Sequence, residues 1–456
     1  MAEDSRGRTG AEPEAAPEGG GARALGARVL IRVWQAGAFA AAALDAEIGR
    51  SAGLDPRDAG LATELVYGVL RTQVFLEDRL AALATSRRWA ADPLVRAHLL
   101  MGAYSLCFLD RVPAFAAVSE AVEAIRSVDP HVASFANAVL RKLAAQAEQA
   151  RPALQDAVVA SAPGWLRGAL RRALGRAGAS AFLSAGPVPP PLGLCLRPGE
   201  DREAWITRLQ AAAPGASIEP GRGSPHAILV RGAGDLRKLP GYGEAWLNQE
   251  EGAQGIALLL GARPGERVLD ACAGRGNKTW LLAQQVGGGA VDAADIHPAK
   301  LQHAAKLGAR ASYAVDWSAG TGEVPEGYDR ALVDAPCSGV GTLRRRPEIA
   351  LRREEHDLGR LSALQAAIAR HAASRTRDGG RLVFAVCSVL REECEAVVDR
   401  LSGDPGEGEP QVRLEPAPFD AEAAAALGCE GATSVRLLPH VHGTDGYFAA
   451  MFVVRR

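Results

Sequence analysis

The sequence predicts an α/β domain with a parallel sheet, preceded by an all-α domain and joined to it by a small α+β segment. Apolar residues recur at helical spacing from about Arg28 to Leu143, which is typical of an all-helical domain. Residues 187–191 are rich in proline and form a stiff, extended stretch that places a linker or boundary nearby. From Gly265 onward, short β-rich runs alternate with helical segments, a pattern that indicates a parallel α/β sheet.

Length and composition restrict the class of protein. The 456 residues suffice for two or three domains, and an apolar fraction of 48% is ample for buried cores. The sequence has no run of about 18 consecutive apolar residues, so we expect no membrane-spanning segment. The formal net charge is only -1, and a nucleic-acid role must therefore rest on local basic patches.

The amino-terminal residues and the cysteines indicate the compartment. Residues 1–24 are mainly Gly, Ala, Glu, Pro and scattered Arg without the apolar core of a signal peptide, and we predict a disordered tail. The seven cysteines are an odd number spread along the chain, which fits reduced thiols better than a disulfide framework. We therefore expect a cytoplasmic protein in which a conspicuous cysteine is a candidate for chemistry.

The all-α domain is expected at residues 25–148. Apolar residues there recur every three or four positions, as in Leu61, Leu65 and Val69. Proline is tolerated in the first turn of a helix but not in its interior, so four prolines mark helix boundaries. They stand in the pairs Asp55-Pro56, Asp92-Pro93, Val112-Pro113 and Asp129-Pro130. We predict five to seven short helices.

Two regions are expected to contain strands. In the linking segment, residues 149–245, the candidates are residues 192–196 and 227–230. In the last domain, residues 246–456, they are residues 267–270, 289–295, 312–316, 328–334 and 381–387. Four of these last five end on aspartate. Because parallel α/β sheets bind ligands at the carboxyl ends of their strands, these acids predict a ligand-binding edge.

A glycine-containing loop follows the first strand of this sheet. Residues 268–279 run from strand through small residues into a helix, and Gly274 and Gly276 let the backbone approach a ligand closely. About twenty residues after Gly274, Asp295 ends the next strand, where a carboxylate can accept two ribose hydroxyls. Asp316 ends the third strand and could face an adenine edge. The loop lacks the full dinucleotide fingerprint and the Walker ending, so an adenosyl cofactor without pyrophosphate fits better than NAD or ATP.

Two cysteines follow the fourth and fifth strands. Cys337 stands in the run Asp334-Ala335-Pro336-Cys337, and Cys387 ends Phe384-Ala385-Val386-Cys387. Methylation of cytosine C5 needs a thiolate that adds to C6, a group at base N3, and assistance to elimination. Cys387, Asp334 and Cys337 could fill these roles. A small buried hydrophobe remains the better interpretation of Cys107, Cys195 and Cys429.

Three consecutive arginines, Arg344, Arg345 and Arg346, follow Cys337 at a short distance. A solvated charged loop is the simpler interpretation. Beside a reaction centre, however, such a cluster is well placed to hold phosphates, which supply the sequence-independent part of nucleic-acid affinity.

These motifs resemble a known family. DACAGRGNKT (270–279), DAPCSGVGTLRRRPEI (334–349) and FAVCSVLREECEAVV (384–398) resemble motifs of the bacterial 16S ribosomal RNA cytosine-5 methyltransferases of the RsmB type, also called Sun or Fmu. The segment ELVYGVLR (64–71) is similar to a NusB-like RNA-binding helical domain. The resemblance implies a Rossmann-like S-adenosylmethionine-dependent domain at residues 246–456 and a NusB-like domain at residues 25–148. The chain differs from the family's pattern at residues 274–277 and at Val386 and Cys394.

The resemblance also implies roles for individual residues. Cys387 would be the nucleophile, Cys337 would assist product release, and Asp334 would contact base N3. S-adenosylmethionine would be bound by the loop and by three strand-end acids: Cys272, Ala273, Gly274, Arg275, Gly276, Asn277, Lys278, Asp295, Asp316 and Asp334. Small-subunit ribosomal RNA is the expected partner. We expect no membrane or metal partner, and a monomer.

The sequence is also compatible with other functions. The nearest is a cytosine-5 methyltransferase of another ribosomal or transfer RNA site. A non-catalytic RNA-binding ribosome-assembly factor would be favoured if a thiol or a strand-end acid were missing. A DNA cytosine-5 enzyme would use Cys337 as nucleophile and carry a target-recognition region after it, whereas here the extra domain comes first. A zinc protein is disfavoured because no C-x-x-C pair occurs.

Overall fold

The structure, a computed structural model, describes residues 21–51, 53–84, 88–287 and 290–456. The chain divides into two compact units, Met1–Ser161 and Ala162–Arg456. Of the tail predicted at residues 1–24, residues 1–20 lie outside the described residues. The last three, residues 22–24, belong to the first helix. None of the described helices is long and apolar enough to cross a membrane.

The first unit is helical, as predicted. Its helices are α1 Ala22–Gln35, α2 Ala40–Arg50, α3 Pro56–Leu83, α4 Pro93–Phe108, α5 Ala114–Val128, α6 Pro130–Gln149 and α7 Leu154–Ser161. Helices begin at or directly after all four boundary prolines. The aspartates before three of them cap the helix: Asp55, Asp92 and Asp129 accept backbone N–H bonds of 2.7–2.9 Å. The helices are not all short, because α3 has 28 residues.

The ELVYGVLR segment has a packing role in this unit. Gly68 lies on α3 against α4, where an added β-carbon would be 2.0 Å from Cζ of Tyr104. The Tyr104 hydroxyl donates a 2.6 Å hydrogen bond to Glu64. Glycine at position 68 is therefore required by the close approach of the Tyr104 ring.

The second unit begins with a helix and a small antiparallel sheet. Its elements are α8 Gly164–Ser184, β1 Leu192–Leu196, α9 Arg202–Ala212, β2 Ser217–Pro220, β3 Ala227–Arg231 and β4 Trp246–Asn248. The strand order is β2-β3-β1-β4. Both predicted strands are present, the second one residue longer than expected. Residues 187–191 are not helical and connect α8 to β1, as their prolines predict.

Eight strands of the described residues form the large sheet. They are β5 Val268–Asp270, β6 Val291–Asp295, β7 Ala311–Ala314, β8 Tyr328–Asp334, β9 Thr376–Val386, β10 Arg413–Pro416, β11 Ser434–Leu437 and β12 Tyr447–Arg455. The order is β10-β12-β9-β8-β5-β6-β7, and β11 pairs with β12. Strands β5 to β9 are parallel, but β12 runs antiparallel to β9. The sheet is therefore mixed, and its predicted parallel character holds only for the five strands identified in the sequence.

The remaining helices connect or flank the strands of the second unit. They are α10 Glu251–Leu258, α11 Asn277–Gln285, α12 Pro298–Lys306, α13 Ile349–Arg352, α14 Glu355–Arg375, α15 Glu395–Ser402, α16 Ala421–Ala425 and α17 Pro439–His442. Of these, α10, α11, α12, α14 and α15 contact the large sheet. The chain passes from β5 outward to β6 and β7 and then returns to β8 on the other side of β5. Such a reversal of strand order opens a crevice at the carboxyl ends of the central strands.

Two predicted strand ends need correction. The third strand stops at Ala314, so Asp316 does not end it. The backbone of Asp316 instead forms an isolated bridge with Thr321 across a turn. The fifth strand stops at Val386, which leaves Cys387 in the loop beyond. Three of the five strands therefore end on aspartate.

Candidate active site at the sheet edge

The glycine loop, residues 271–276, joins β5 to α11 at the crevice. Gly276 precedes α11 with a φ of 89°, and a β-carbon there would lie 2.5 Å from Cα of Ala304 on α12. Glycine is therefore needed at position 276 for a left-handed turn and for contact with α12. Gly274 also has a positive φ, 55°, but open space surrounds the position of a β-carbon. Of the two, Gly274 is the one that leaves room beside the backbone.

Asp295 holds the glycine loop. Its Oδ2 accepts a 2.9 Å bond from the Gly274 N–H, and its Oδ1 accepts a 2.8 Å bond from the His297 N–H. The neighbouring Ile296 is 54% exposed. The end of β6 thus presents a fixed carboxylate beside an open apolar side chain, the two surfaces that a ribose and an adenine require.

Asp316 is placed differently from the prediction. Its Oδ1 accepts bonds from the backbone and hydroxyl of Ser318, at 3.0 and 2.6 Å, and from the Ala319 N–H. The Ser318 hydroxyl bond is the main reason that the pKa of Asp316 is lowered. This carboxylate therefore stabilises its own turn, and its contact with adenine stays a prediction.

Asp270 is a buried acid under the loop, one of the strand-end acids predicted at this edge but not predicted to bind the cofactor. It is 1% exposed and accepts a 2.7 Å bond from the Thr279 hydroxyl on α11. Desolvation raises the pKa of Asp270 to about 6. Below the loop, the Trp317 indole donates a 2.7 Å bond to the Ala271 carbonyl. The position of Asp270 at the end of β5 was the available sequence signal.

Lys278 binds an acid on the neighbouring strand. Its Nζ donates a 2.6 Å hydrogen bond to Oδ2 of Asp334, at the end of β8. Burial of the Lys278 ammonium lowers its pKa, but Asp334, Asp270 and Cys387 together raise it by more, so the net pKa is raised. Lys278 was predicted only as part of the cofactor loop, whereas the structure joins it to the proposed base-binding acid.

The two candidate thiols lie side by side. Cys337 follows β8 and Cys387 follows β9, and these parallel neighbours end at the same edge. The distance between their Sγ atoms is 3.2 Å. The hydrogen bond with Cys387 and then desolvation raise the pKa of the Cys337 thiol. Cys337 is therefore suited to retain its proton beside the second sulfur.

A close contact between two glycines fixes the backbone at Cys387. The Gly341 N–H donates a 3.0 Å bond to the Cys387 carbonyl, and the Gly446 N–H donates a 2.8 Å bond to the Gly341 carbonyl. A β-carbon at Gly341 would lie 1.9 Å from the Gly446 carbonyl oxygen. The loops carrying the two thiols are thus joined through backbone that excludes side chains.

The three arginines of the predicted phosphate site have different surroundings. Arg344 is 7% exposed, burial lowers its pKa, and it donates a 2.7 Å bond to the Gly443 carbonyl. Arg345 donates a 2.8 Å bond to Asp445. These two arginines bind a loop about a hundred residues away and are not presented together to solvent. Arg346 is exposed, and the phosphate-binding prediction remains as a proposal for Arg346.

The electrostatics of the edge suit a cationic ligand. Desolvation raises the pKa of the Cys272 thiol most, and the carboxylates of Asp270, Asp334 and Asp295 raise it further. Three strand-end acids therefore act on one position within the glycine loop. The sulfonium of S-adenosylmethionine is a cation and fits this environment. Within the described residues, no cluster of three or more His, Cys, Asp or Glu side chains forms a metal site.

Two known families match different parts of the chain. The sequence pattern of the family described as 16S rRNA methyltransferase RsmB/F matches residues 257–453, and that of the NusB family matches residues 21–145. Ribosomal RNA small subunit methyltransferase B of Pseudomonas putida is 33% identical over 449 residues, 94% of this chain and 98% of that protein. The protein of the same name from Xylella fastidiosa is 33% identical over 422 residues, which cover 88% of this chain and 92% of that protein.

A solved structure shows the same fold. The crystal structure of PH0851 superposes with a TM-score of 0.72 and covers 95% of this chain and 98% of its own. Its sequence identity is 22%, so the likeness concerns the fold alone.

Proposed function

The chain belongs to the 16S rRNA methyltransferase RsmB/F family, whose members use S-adenosylmethionine, and from this we propose that it methylates C5 of a cytosine in small-subunit ribosomal RNA. The observation that carries the cytosine-5 assignment is the 3.2 Å separation of the Cys337 and Cys387 sulfurs at the sheet edge. Methylation of an exocyclic nitrogen or a ribose oxygen needs no covalent thiol. Addition to a pyrimidine ring requires one thiolate and a group at base N3, and a second thiol beside the first can assist elimination.

Activation of the base is the first task of the site. S-adenosylmethionine, when bound by Asp295 and the glycine loop, supplies an electrophilic methyl group. Cys387 adds through Sγ to C6 of the cytosine, which places electron density on C5. Asp334 contacts N3 and favours its protonation, and Lys278 orients the Asp334 carboxylate through their 2.6 Å bond.

Release of the product is the second task. After C5 has received the methyl group, its proton must pass to a water molecule, and the bond from C6 to the Cys387 sulfur must break with its electron pair returning to that sulfur. Cys337 is positioned to assist, because its sulfur is 3.2 Å from the sulfur that departs. Its raised pKa favours a protonated thiol that can hydrogen-bond to the leaving thiolate.

The proposed function is tested by mapping the product. The purified protein, incubated with S-adenosylmethionine and unmethylated small-subunit ribosomal RNA, should produce 5-methylcytosine at one position in bisulfite sequencing. Transfer RNA incubated in parallel is the comparison substrate. Methylation of transfer RNA with none in ribosomal RNA would overturn the substrate assignment, and a methyl group on another atom would overturn the chemistry.

Asp295 offers a test of the cofactor site. We expect Asp295→Ala to weaken S-adenosylmethionine binding about 10- to 100-fold, the size expected for lost hydrogen bonds to a charged group. Calorimetric titration measures the change. Asp329→Ala is the matched control, because Asp329 lies at the amino end of β8 and binds Arg267 and Arg377 there. Equal affinities in the Asp295 variant and the wild type would show that the cofactor binds elsewhere.

A further inference from the structure

A single buried carboxylate connects the loops that carry the two thiols. Cys337 is followed by Ser338, and Cys387 is followed by Ser388. Oε2 of Glu393 accepts a 2.5 Å bond from the Ser338 hydroxyl and a 2.6 Å bond from the Ser388 hydroxyl. Each of the two cysteines is therefore followed directly by a serine whose hydroxyl donates a hydrogen bond to Oε2 of Glu393.

The second oxygen of this carboxylate is also saturated. Oε1 of Glu393 accepts a 2.7 Å bond from the Ser338 N–H and a 3.0 Å bond from Nε2 of Gln365 on α14. The same Gln365 nitrogen donates a 3.0 Å bond to the Pro336 carbonyl, on the other side of Cys337. Glu393 is 0% exposed. Its four hydrogen bonds therefore reach both thiol loops and the helix behind them.

We propose that Glu393 is a positioning residue that holds Cys337 and Cys387 at their working distance and orientation. The catalytic consequence rests on the proposed function, but the positioning itself does not. The bonds through Ser338 and Ser388 set the spacing of the loops on the buried side. The backbone bond from Gly341 to the Cys387 carbonyl is a second connection between the same loops.

The four donors of the cluster suit a carboxylate. An ionised carboxylate only accepts hydrogen bonds, and its two oxygens have room for about four donors, the number present here. Glutamine at this position would replace one of the two oxygens by an NH₂ group. The two groups that donate to that oxygen in the wild type would then face another donor. The negative charge of Glu393 also contributes to the raised pKa of the Cys337 thiol, after the hydrogen bond with Cys387 and desolvation.

Chemical cross-linking tests the positioning without requiring activity. Diamide, an azo compound, takes two electrons and two protons from the thiols of Cys337 and Cys387 as the S–S bond forms, and becomes a hydrazine. The rate of appearance of the linked peptides is measured by mass spectrometry on the full-length protein. Glu393→Gln should slow this cross-link about tenfold, as expected for the loss of one or two hydrogen bonds that align the loops.

The matched control is Asp292→Asn. Asp292 is equally buried in the same sheet but binds Arg310 and Tyr328, away from the thiols. We expect this variant to lose stability while its cross-linking rate stays at the wild-type value. A wild-type rate in Glu393→Gln would overturn the proposal. Equal slowing in both variants would also overturn it, because the effect would then be general loosening of the domain.

A double-mutant cycle identifies the path of the effect. Ser388→Ala removes one donor to Glu393 and should slow both cross-linking and single-turnover methyl transfer. If Glu393 acts through Ser388, the double variant should cross-link no more slowly than Glu393→Gln alone. If the rate reductions of the two single variants multiply in the double variant, Glu393 does not act through Ser388. Affinity for S-adenosylmethionine should stay within about twofold of wild type, since the bonds lost lie outside the cofactor loop. A wild-type protein without 5-methylcytosine activity would contradict the proposed function, and the cross-linking result would still decide the positioning.

Discussion

Replacement of Cys387 by alanine is expected to abolish methyl transfer, by about 10⁴-fold or more, because removal of a covalent nucleophile leaves only binding and electrostatic contributions. The assay follows transfer of a labelled methyl group from S-adenosylmethionine to small-subunit ribosomal RNA. With RNA containing 5-fluorocytosine, which blocks loss of the C5 substituent, the wild type should form an adduct that survives a denaturing gel. The Cys387→Ala variant should form none.

The control for this prediction removes a different thiol. Cys429 is buried in the core beneath the sheet, and the sequence assigns it no chemistry. Cys429→Ala should therefore retain both methyl transfer and the adduct, with a loss of stability only. Affinity of Cys387→Ala for S-adenosylmethionine should match that of the wild type. A stable adduct in Cys387→Ala would show that another residue attacks C6.

Replacement of Cys337 by alanine should have the opposite effect on the adduct. The nucleophile remains, so addition and methyl transfer proceed, but departure of the Cys387 sulfur lacks the neighbouring thiol at 3.2 Å. Methylated RNA should accumulate covalently bound to protein, even with ordinary cytosine, and turnover should stop near one equivalent. Denaturing gels and bisulfite sequencing of the trapped RNA measure the two properties.

The double variant separates the roles of the two thiols. Cys337→Ala combined with Cys387→Ala should form no adduct, because the accumulated complex depends on the nucleophile. Adducts trapped by Cys387→Ala and lost in Cys337→Ala would assign nucleophilic attack to Cys337. That outcome would leave the family assignment intact and reverse the mechanism proposed for this chain.

Much of the site's position could be predicted because strand ends are local features. The strand Tyr328–Asp334 has the predicted bounds, and Cys337 follows it at the edge. Two parallel neighbours must end on the same side of a sheet, so the meeting of Cys337 and Cys387 follows once their strands are adjacent. The predicted end of the third strand was wrong at Asp316, because this aspartate belongs to the turn that leads to Thr321 and accepts hydrogen bonds within it.

Side-chain partners far apart in sequence could not be predicted. The arginine cluster has the composition of a phosphate site, yet Arg345 binds Asp445, a hundred residues further along the chain. Lys278 and Asp334 are 56 residues apart, and Ser338 and Glu393 are 55 apart. Whether such a group meets solvent or a partner depends on which loops the fold brings together, and no local spacing encodes this.

Local sequence patterns were sufficient to predict the helical first domain, the parallel core strands, and the positions of the glycine loop and the two cysteines. Each depends on apolar periodicity, a capping residue or a short motif, whose physical effect acts within a few neighbouring residues. The antiparallel pairing of β12 with β9, the burial of Arg344 and the connection of the thiol loops by Glu393 became known from the folded structure. These outcomes depend on burial and on hydrogen bonds between distant segments, and a buried polar group is stable only when folding supplies its partners.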